Sequence, residues 1–287
     1  MCPIVAPWTD SQSPMTQDKF PTDAAAIDLH EWLKTPAGRY LLAWEQGQFD
    51  SAVSDIFGFN ALQLGLPELD GLQANRMPQR WLACDDAQQR PVRAALITDF
   101  SALPFAAASL DLVLLPHALE LHPDPHATLR EVERVLVPEG RVVICGFNPT
   151  GLWALRQRRA RWTRRLGFGE RFLPDVGQWI GYWRLRDWLR LLSFEVEQHR
   201  FGCYRPAMHS PVWLERCAWM DRVGARWWPI FGSAYCIVAV KRVRGMRLLE
   251  PAWKAASQVA TAPVSIANQV GAAKPAHFIK KERETAP

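Results

Sequence analysis

The chain has no uninterrupted run of about 18 apolar residues, so a membrane-spanning helix is not expected. Its first residues, MCPIVAPWTDSQS, lack the basic start and apolar stretch of a secretory leader. A cytoplasmic location is the default expectation. None of the six cysteines (Cys2, Cys84, Cys145, Cys203, Cys217 and Cys236) forms a C-x-x-C pair. Metal binding by cysteine is therefore not expected, and buried reduced thiols are. No internal repeat is visible. What is present is an ordinary globular balance, with 48% hydrophobic and 22% charged residues in 287. A chain of that length buries a sizeable core without staples, which excludes a disulfide mini-protein, a coiled coil and a wholly disordered chain.

Charge is unevenly placed. Residues 153–172 carry seven arginines against Glu170, a local +6 in a chain of net +5, so the remainder stands at −1. The basic character belongs to one segment and not to the whole surface. Ten of the 14 tryptophans fall between Trp153 and Trp253, so the carboxyl half differs in character from the amino half.

Residues 1–25 are rich in Pro, Ser, Asp and Thr and are expected to be a flexible segment. A helical stretch follows from about Ile27 to Asp55, interrupted near Thr35-Pro36-Ala37-Gly38. FNALQLG, ending at Gly65, suits a buried strand and turn, and RWLAC (80–84) and AALIT (94–98) read as two more short strands. LDLVLL (110–115) is an unbroken apolar run, typical of a strand covered on both faces. Asp124-Pro125 marks a helix start, Pro138-Glu139-Gly140 stops that helix, and RVVICGF (141–147) is another buried strand. LRDWLRLL (185–192) reads as a helix, FEVEQHRF (194–201) as a strand, and residues 213–228 as one amphipathic helix. AYCIVAVKRV (234–243) reads as a last long strand. Strands and helices alternating at this spacing predict a parallel sheet. The expected organisation is a domain over 26–253, with a basic insertion at 150–180, and a flexible tail over 254–287.

The segment Ile97 to Pro149 carries a further pattern. Asp99 precedes Leu103-Pro104-Phe105. Ser109, Asp111 and Val113 open the next strand, Leu129 to Leu136 form a Leu-x-Glu-x-x-Arg-Val-Leu helix, and Pro138-Glu139-Gly140 closes it. In these residues the chain resembles the class I S-adenosylmethionine-dependent methyltransferases, particularly the methyltransferase type 11 group. The resemblance implies an α/β, Rossmann-like fold with a seven-stranded, mostly parallel sheet and an antiparallel last strand. It also implies S-adenosyl-L-methionine as cofactor.

Open parallel sheets bind ligands at the carboxyl ends of their strands, where strand order reverses. In the resembled fold that point lies between strands one and four. The expected cofactor residues are Gln63, Gly65 and Leu66 after strand one, and Asp85 (or its neighbour Asp86) after strand two. Asp99, Phe100 and Ser101 follow strand three, and Pro116 and His117 end strand four. The family's Gly-x-Gly is incomplete, because Pro67 stands at the second glycine, without an N–H and without glycine's positive φ. Gln63 replaces the usual acid there. It can accept a hydrogen bond from an ammonium but brings no charge. His117 is read either as a general base or as a wall of the cleft. His122, Asp124 and His126 form an H-x-D-x-H run in which Asp124 is expected to cap a helix, and no metal is expected. Asn148 is a candidate substrate-cleft residue.

The leading expectation is a methyltransferase acting on an unidentified acceptor, with no catalytic residue assigned. The alternative is an inactive relative of that fold serving as a binding module. The arginines of 156–165 are read first as a cap over the cleft, with nucleic acid or an anionic membrane surface as the other partners they suit.

Overall fold

The computed structural model describes residues 27–85, 94–164, 172–174 and 176–242. The chain divides into two units, Met1–Arg244 and Gly245–Pro287, and the second lies outside the described residues. So do the two expected tails, residues 165–171 and 175 of the basic insertion, and Asp86.

Two helices precede the sheet, α1 (Leu29–Leu33) and α2 (Pro36–Val53). The Thr35 hydroxyl accepts from Gly38 N at 3.1 Å and Pro36 takes the first helical position, so the expected interruption is a new helix start. Only glycine fits at 38, because a Cβ there would lie 2.4 Å from Trp32 O.

The strands are β1 (Asn60–Leu64), β2 (Gln79–Cys84), β3 (Leu96–Ile97), β4 (Leu110–Pro116), β5 (Leu136–Phe147), β6 (Phe194–Gly202) and β7 (Ala234–Lys241). They form one sheet in the order β3-β2-β1-β4-β5-β7-β6. Neighbours from β3 to β5 are parallel, and β7 runs antiparallel to both β5 and β6. The remaining helices are α3 (Ala118–Leu121), α4 (Pro125–Val135), α5 (Leu152–Arg164), α6 (Tyr182–Leu191), α7 (Pro211–Arg216) and α8 (Trp219–Trp227), with a 3₁₀ turn at Pro229–Phe231.

Alternate strand residues face opposite layers. Ala61, Leu112, Leu114, Val143, Cys145 and Phe147 share a core with α1 and α2. Leu62, Leu64, Val113, Leu115, Val142 and Ile144 share another with α4 and α6. Burial on both faces explains the unbroken apolar runs of β4 and β5. Cys84, Cys145, Cys203 and Cys236 are buried free thiols.

Two local expectations differ from the structure. Residues 137–140 lie within β5 as an irregularity: Leu110 pairs with Leu136 and Leu112 with Arg141, so the extra residues bulge out, with Glu139 at φ +65°. The single helix expected over 213–228 is broken into α7 and α8. Each is docked by one buried residue, Leu214 and Gly224. In one continuous helix those ten positions would leave the two about 80° apart in azimuth. The break at Cys217 turns both toward the body.

Candidate functional site

The strand register aligns the carboxyl ends of β1 to β4. Leu64 pairs with Ala83, Cys84 with Ile97, and Gln63 with Leu114. Gly65 therefore leaves β1 beside Asp85 after β2, Asp99 follows β3, and Pro116 and His117 end β4. Gly65 has φ +76°, a left-handed conformation that glycine adopts without strain, and its N–H donates to Ala83 O at 2.8 Å. The sheet thus brings the expected strand-end residues to one edge, at the reversal in strand order between β1 and β4.

The loop after β1 is unlike a usual βα crossover. Residues 65–78 run as turns, with no helix whose N-terminus could face an anion. Its backbone polar groups need other partners. Gln63 supplies them: its Nε2 donates to the carbonyls of Gly65, Leu66 and Leu69 at 2.8–3.2 Å, and its Oε1 accepts from Gly71 N at 3.0 Å. Asn75 ties the far end of the loop to the end of α2, donating to Val53 O and Ile56 O and accepting from Met77 N. The ammonium contact expected of Gln63 is thus replaced by a loop-building role, because its amide is already engaged. Leu66, with φ +46°, is buried in the α1–α2 core and does not line a cleft. Helix α1 is latched onto this loop, with His30 Nδ1 2.6 Å from Glu68 Oε1. Trp32 is wedged edge-on against Phe147, Trp153 and Phe172, which anchors α1 beside the end of β5.

Asp99 forms a tight turn. Its Oδ1 accepts from Ser101 N at 2.8 Å and Ser101 Oγ at 2.7 Å, and lies 3.1 Å from His122 Nε2. These bonds, first of all the one from the Ser101 hydroxyl, hold the carboxyl below its usual range. Oδ2 carries none of them, and the side chain is 63% exposed. Phe100 is buried and stacks on His122. The H-x-D-x-H run does not converge: His122 is turned to Asp99, Asp124 caps α4 through Ala127 N at 3.0 Å, and His126 lies against Trp188.

His117 sits in the left-handed region at φ +54° and is wholly buried. Its Nδ1 is 2.7 Å from Glu120 Oε2 and its Nε2 is 2.8 Å from Glu45 Oε1. Glu120 Oε1 also accepts from Phe147 N at 2.7 Å. Glu45 Oε2 is buried with no hydrogen-bond partner. Burial alone would pull the imidazole down. The Glu45 charge and the hydrogen bonds to both carboxylates outweigh that and push its pKa up to about 10. Burial raises Glu120 in turn. Both ring nitrogens are engaged by buried carboxylates and the ring has no exposed edge, so the general-base reading of His117 does not fit. Glu45 and Glu120 escaped the sequence reading. Glu45 had left a signal, since Leu41, Glu45, Phe49 and Val53 share the buried stripe of α2 and an acid stands among apolar residues.

Asn148 follows β5 and is 3% exposed. Its Nδ2 donates to Ile230 O and Gly232 O at 2.7 and 2.8 Å, and its Oδ1 accepts from Thr150 N and Oγ1. It ties the β5–α5 turn to the turn before β7, a positioning role in place of the expected substrate contact. Beside it, Pro149, Ala154, Gln157, Arg158 and Trp179 line a cavity of about 190 Å³.

Asp85 is exposed and Asp99 keeps one carboxylate oxygen clear of its turn, a pair of acceptors suited to the hydroxyls and amino group of a nucleoside. The strand order, with its antiparallel seventh strand and its reversal between β1 and β4, is that of the class I methyltransferase architecture. A family model described as a methyltransferase domain matches residues 78–144. The chain is 31% identical over 182 residues to the uncharacterized protein YafS of Escherichia coli (strain K12), covering 63% of this chain and 71% of that protein. It is 33% identical over 149 residues to the uncharacterized protein Rv2003c of Mycobacterium tuberculosis, covering 48% of this chain and 50% of that one. The chain thus spans half the length of the mycobacterial relative. Among solved structures it is similar to a SAM-dependent methyltransferase from Archaeoglobus fulgidus. The TM-score is 0.48 at 15% identity, covering 70% of this chain and 94% of that chain. This chain belongs to the class I methyltransferase family.

Proposed function

We propose that the protein binds S-adenosylmethionine across the carboxyl ends of β1–β4 and transfers its methyl group to an acceptor seated beside β5. The observation that carries this reading is the convergence of Gly65, Asp85, Asp99 and the end of β4 at the reversal in strand order. Asp85 would hold the ribose hydroxyls and Asp99 Oδ2 the adenine amino group. Gly65 and Ser101 would border the cofactor, with buried Phe100, Pro116 and His117 supporting them from behind. Bound S-adenosylmethionine supplies a sulfonium whose methyl group is already activated.

The chain's part is to align the acceptor and exclude water. The cavity bordered by Arg158 and Trp179 is the proposed acceptor seat, and α5 its cap. His117 acts through position: with Glu45 and Glu120 it joins α2, the end of β4 and Phe147 N at the end of β5. No side chain is assigned as a base. Pro67 and the engaged Gln63 favour a second reading, an inactive relative that serves as a binding module.

Calorimetry with S-adenosylhomocysteine tests the first reading. The wild type is expected to bind at one site, and Asp99→Ala to bind roughly tenfold more weakly through loss of a hydrogen-bond acceptor. Unchanged affinity in the variant removes Asp99 from the site. Absence of binding by the wild type favours the binding module.

A further inference from the structure

Residues 211–231 form a ridge with an unusual surface. Among the described residues, fourteen large apolar side chains are exposed, and seven of them fall between Val212 and Phe231. Trp213, Trp219, Trp227, Trp228, Ile230 and Phe231 are each 46–70% exposed, an apolar concentration that soluble surfaces rarely carry without a partner. Within 211–231 only Leu214 and Gly224 are buried, so α7, α8 and the following turn present most of their side chains to the surface.

The ridge is ordered by helical spacing. Trp219, Val223 and Trp227 recur every four residues along α8 and form one stripe. Arg222 and Arg226 are exposed beside it. Arg216 lies with its guanidinium 5.0 Å from the centre of the Trp213 ring. Asp221, the acid of α8, is turned inward, bonded to the Tyr40 hydroxyl and to Arg205 at 2.8 Å. Glu215 is the one exposed acid of the segment, against three arginines. At its far end the ridge is tied to the β5–α5 turn through the bonds from Asn148 to Ile230 O and Gly232 O. From that turn α5 runs on with exposed Leu155, Arg156, Arg158 and Arg159.

We infer that residues 211–231, continued by the basic α5, are a docking surface for an anionic phospholipid bilayer. Tryptophan places an apolar ring and a polar N–H at the lipid–water boundary, and arginine reaches from the same depth to lipid phosphate. With three exposed arginines against one exposed acid the segment is net positive, which an anionic surface complements and a second copy of the same segment does not. No described helix is long and apolar enough to cross a membrane.

The inference does not rest on methyl transfer, and its test needs no cofactor. The full chain is mixed with vesicles of phosphatidylcholine alone, or with a third phosphatidylglycerol, and sedimented. Binding is expected to the anionic vesicles only, with a blue shift in tryptophan emission and release by salt. Trp219→Ser with Trp227→Ser should abolish it while the melting curve is retained, since both side chains are exposed. Arg222→Gln with Arg226→Gln should weaken it about fivefold per arginine, and this pair decides the matter if the tryptophan variant does not fold. Failure to sediment with anionic vesicles, or equal binding to neutral ones, would overturn the inference. So would a concentration-dependent dimer that the tryptophan variant abolishes. Binding of tRNA that the arginine variant loses, without vesicle binding, would reassign the ridge to nucleic acid.

Discussion

Two carboxylates and one imidazole, none with access to water, meet at His117. Each would be costly to bury alone, and together they are stable only while the ring carries its proton. The ordinary pKa of 6.5 is raised to about 10 in the folded chain. A raised pKa means that the folded state binds the proton more tightly than the unfolded chain does. The stabilisation is therefore complete below pH 6.5 and is lost as the pH rises toward the folded value. The melting midpoint should fall as the pH is raised through that window. His117→Gln should melt lower at the acid end, by about 3–5 kcal/mol of stability, because both carboxylates lose their cation. Its midpoint should also vary less across the same window. Thermal melts of the two proteins over that pH series check both statements. Parallel pH profiles would show that His117 is not the titrating group.

The segment between β1 and β2 shows how an element can be replaced by two side chains. A helical crossover satisfies its own backbone, whereas residues 65–78 depend on Gln63 and Asn75. Gln63→Leu keeps the size but leaves the three carbonyls and the Gly71 N–H without that partner. It should cost about 2–4 kcal/mol, as expected for buried groups left unpaired, and should also impair S-adenosylhomocysteine binding by freeing the Gly65 turn. Denaturant unfolding with calorimetry measures both. Full stability in this variant would show that water reaches the loop. The strands and α4 were legible because their patterns are local: β4 is an unbroken apolar run, and Asp124-Pro125 is a start signal within four residues. The break between α7 and α8 was not legible. It is decided by where Leu214 and Gly224 find the body, and a Cβ at Gly224 would meet the Tyr204 ring at 2.4 Å.

At the scale of the molecule, the described part of the fold closes with β7, whose residues Ala234 to Val240 are all buried between β5 and β6. The last strand of the described sheet ends at Lys241, and we propose that residues 26–253 suffice for folding. That fragment should keep a single cooperative melt close to the full chain's midpoint. A large fall in the midpoint would mean that one of the terminal segments is part of the core. The sequence by itself determined the strand set, the α/β class and the family, because apolar periodicity and the Asp99 to Gly140 motif are carried by neighbouring residues. It also determined that Gly65, Asp85, Asp99 and His117 are strand-end residues, since each follows a readable run. Only the tertiary structure decided what those residues and their neighbours do. Gln63 and Asn148 looked available in the sequence and proved to be bonded to distant backbone. His117 received a carboxylate from Glu45, 72 positions away. Which polar group is left over for a ligand depends on contacts between remote segments, and local pattern does not encode them.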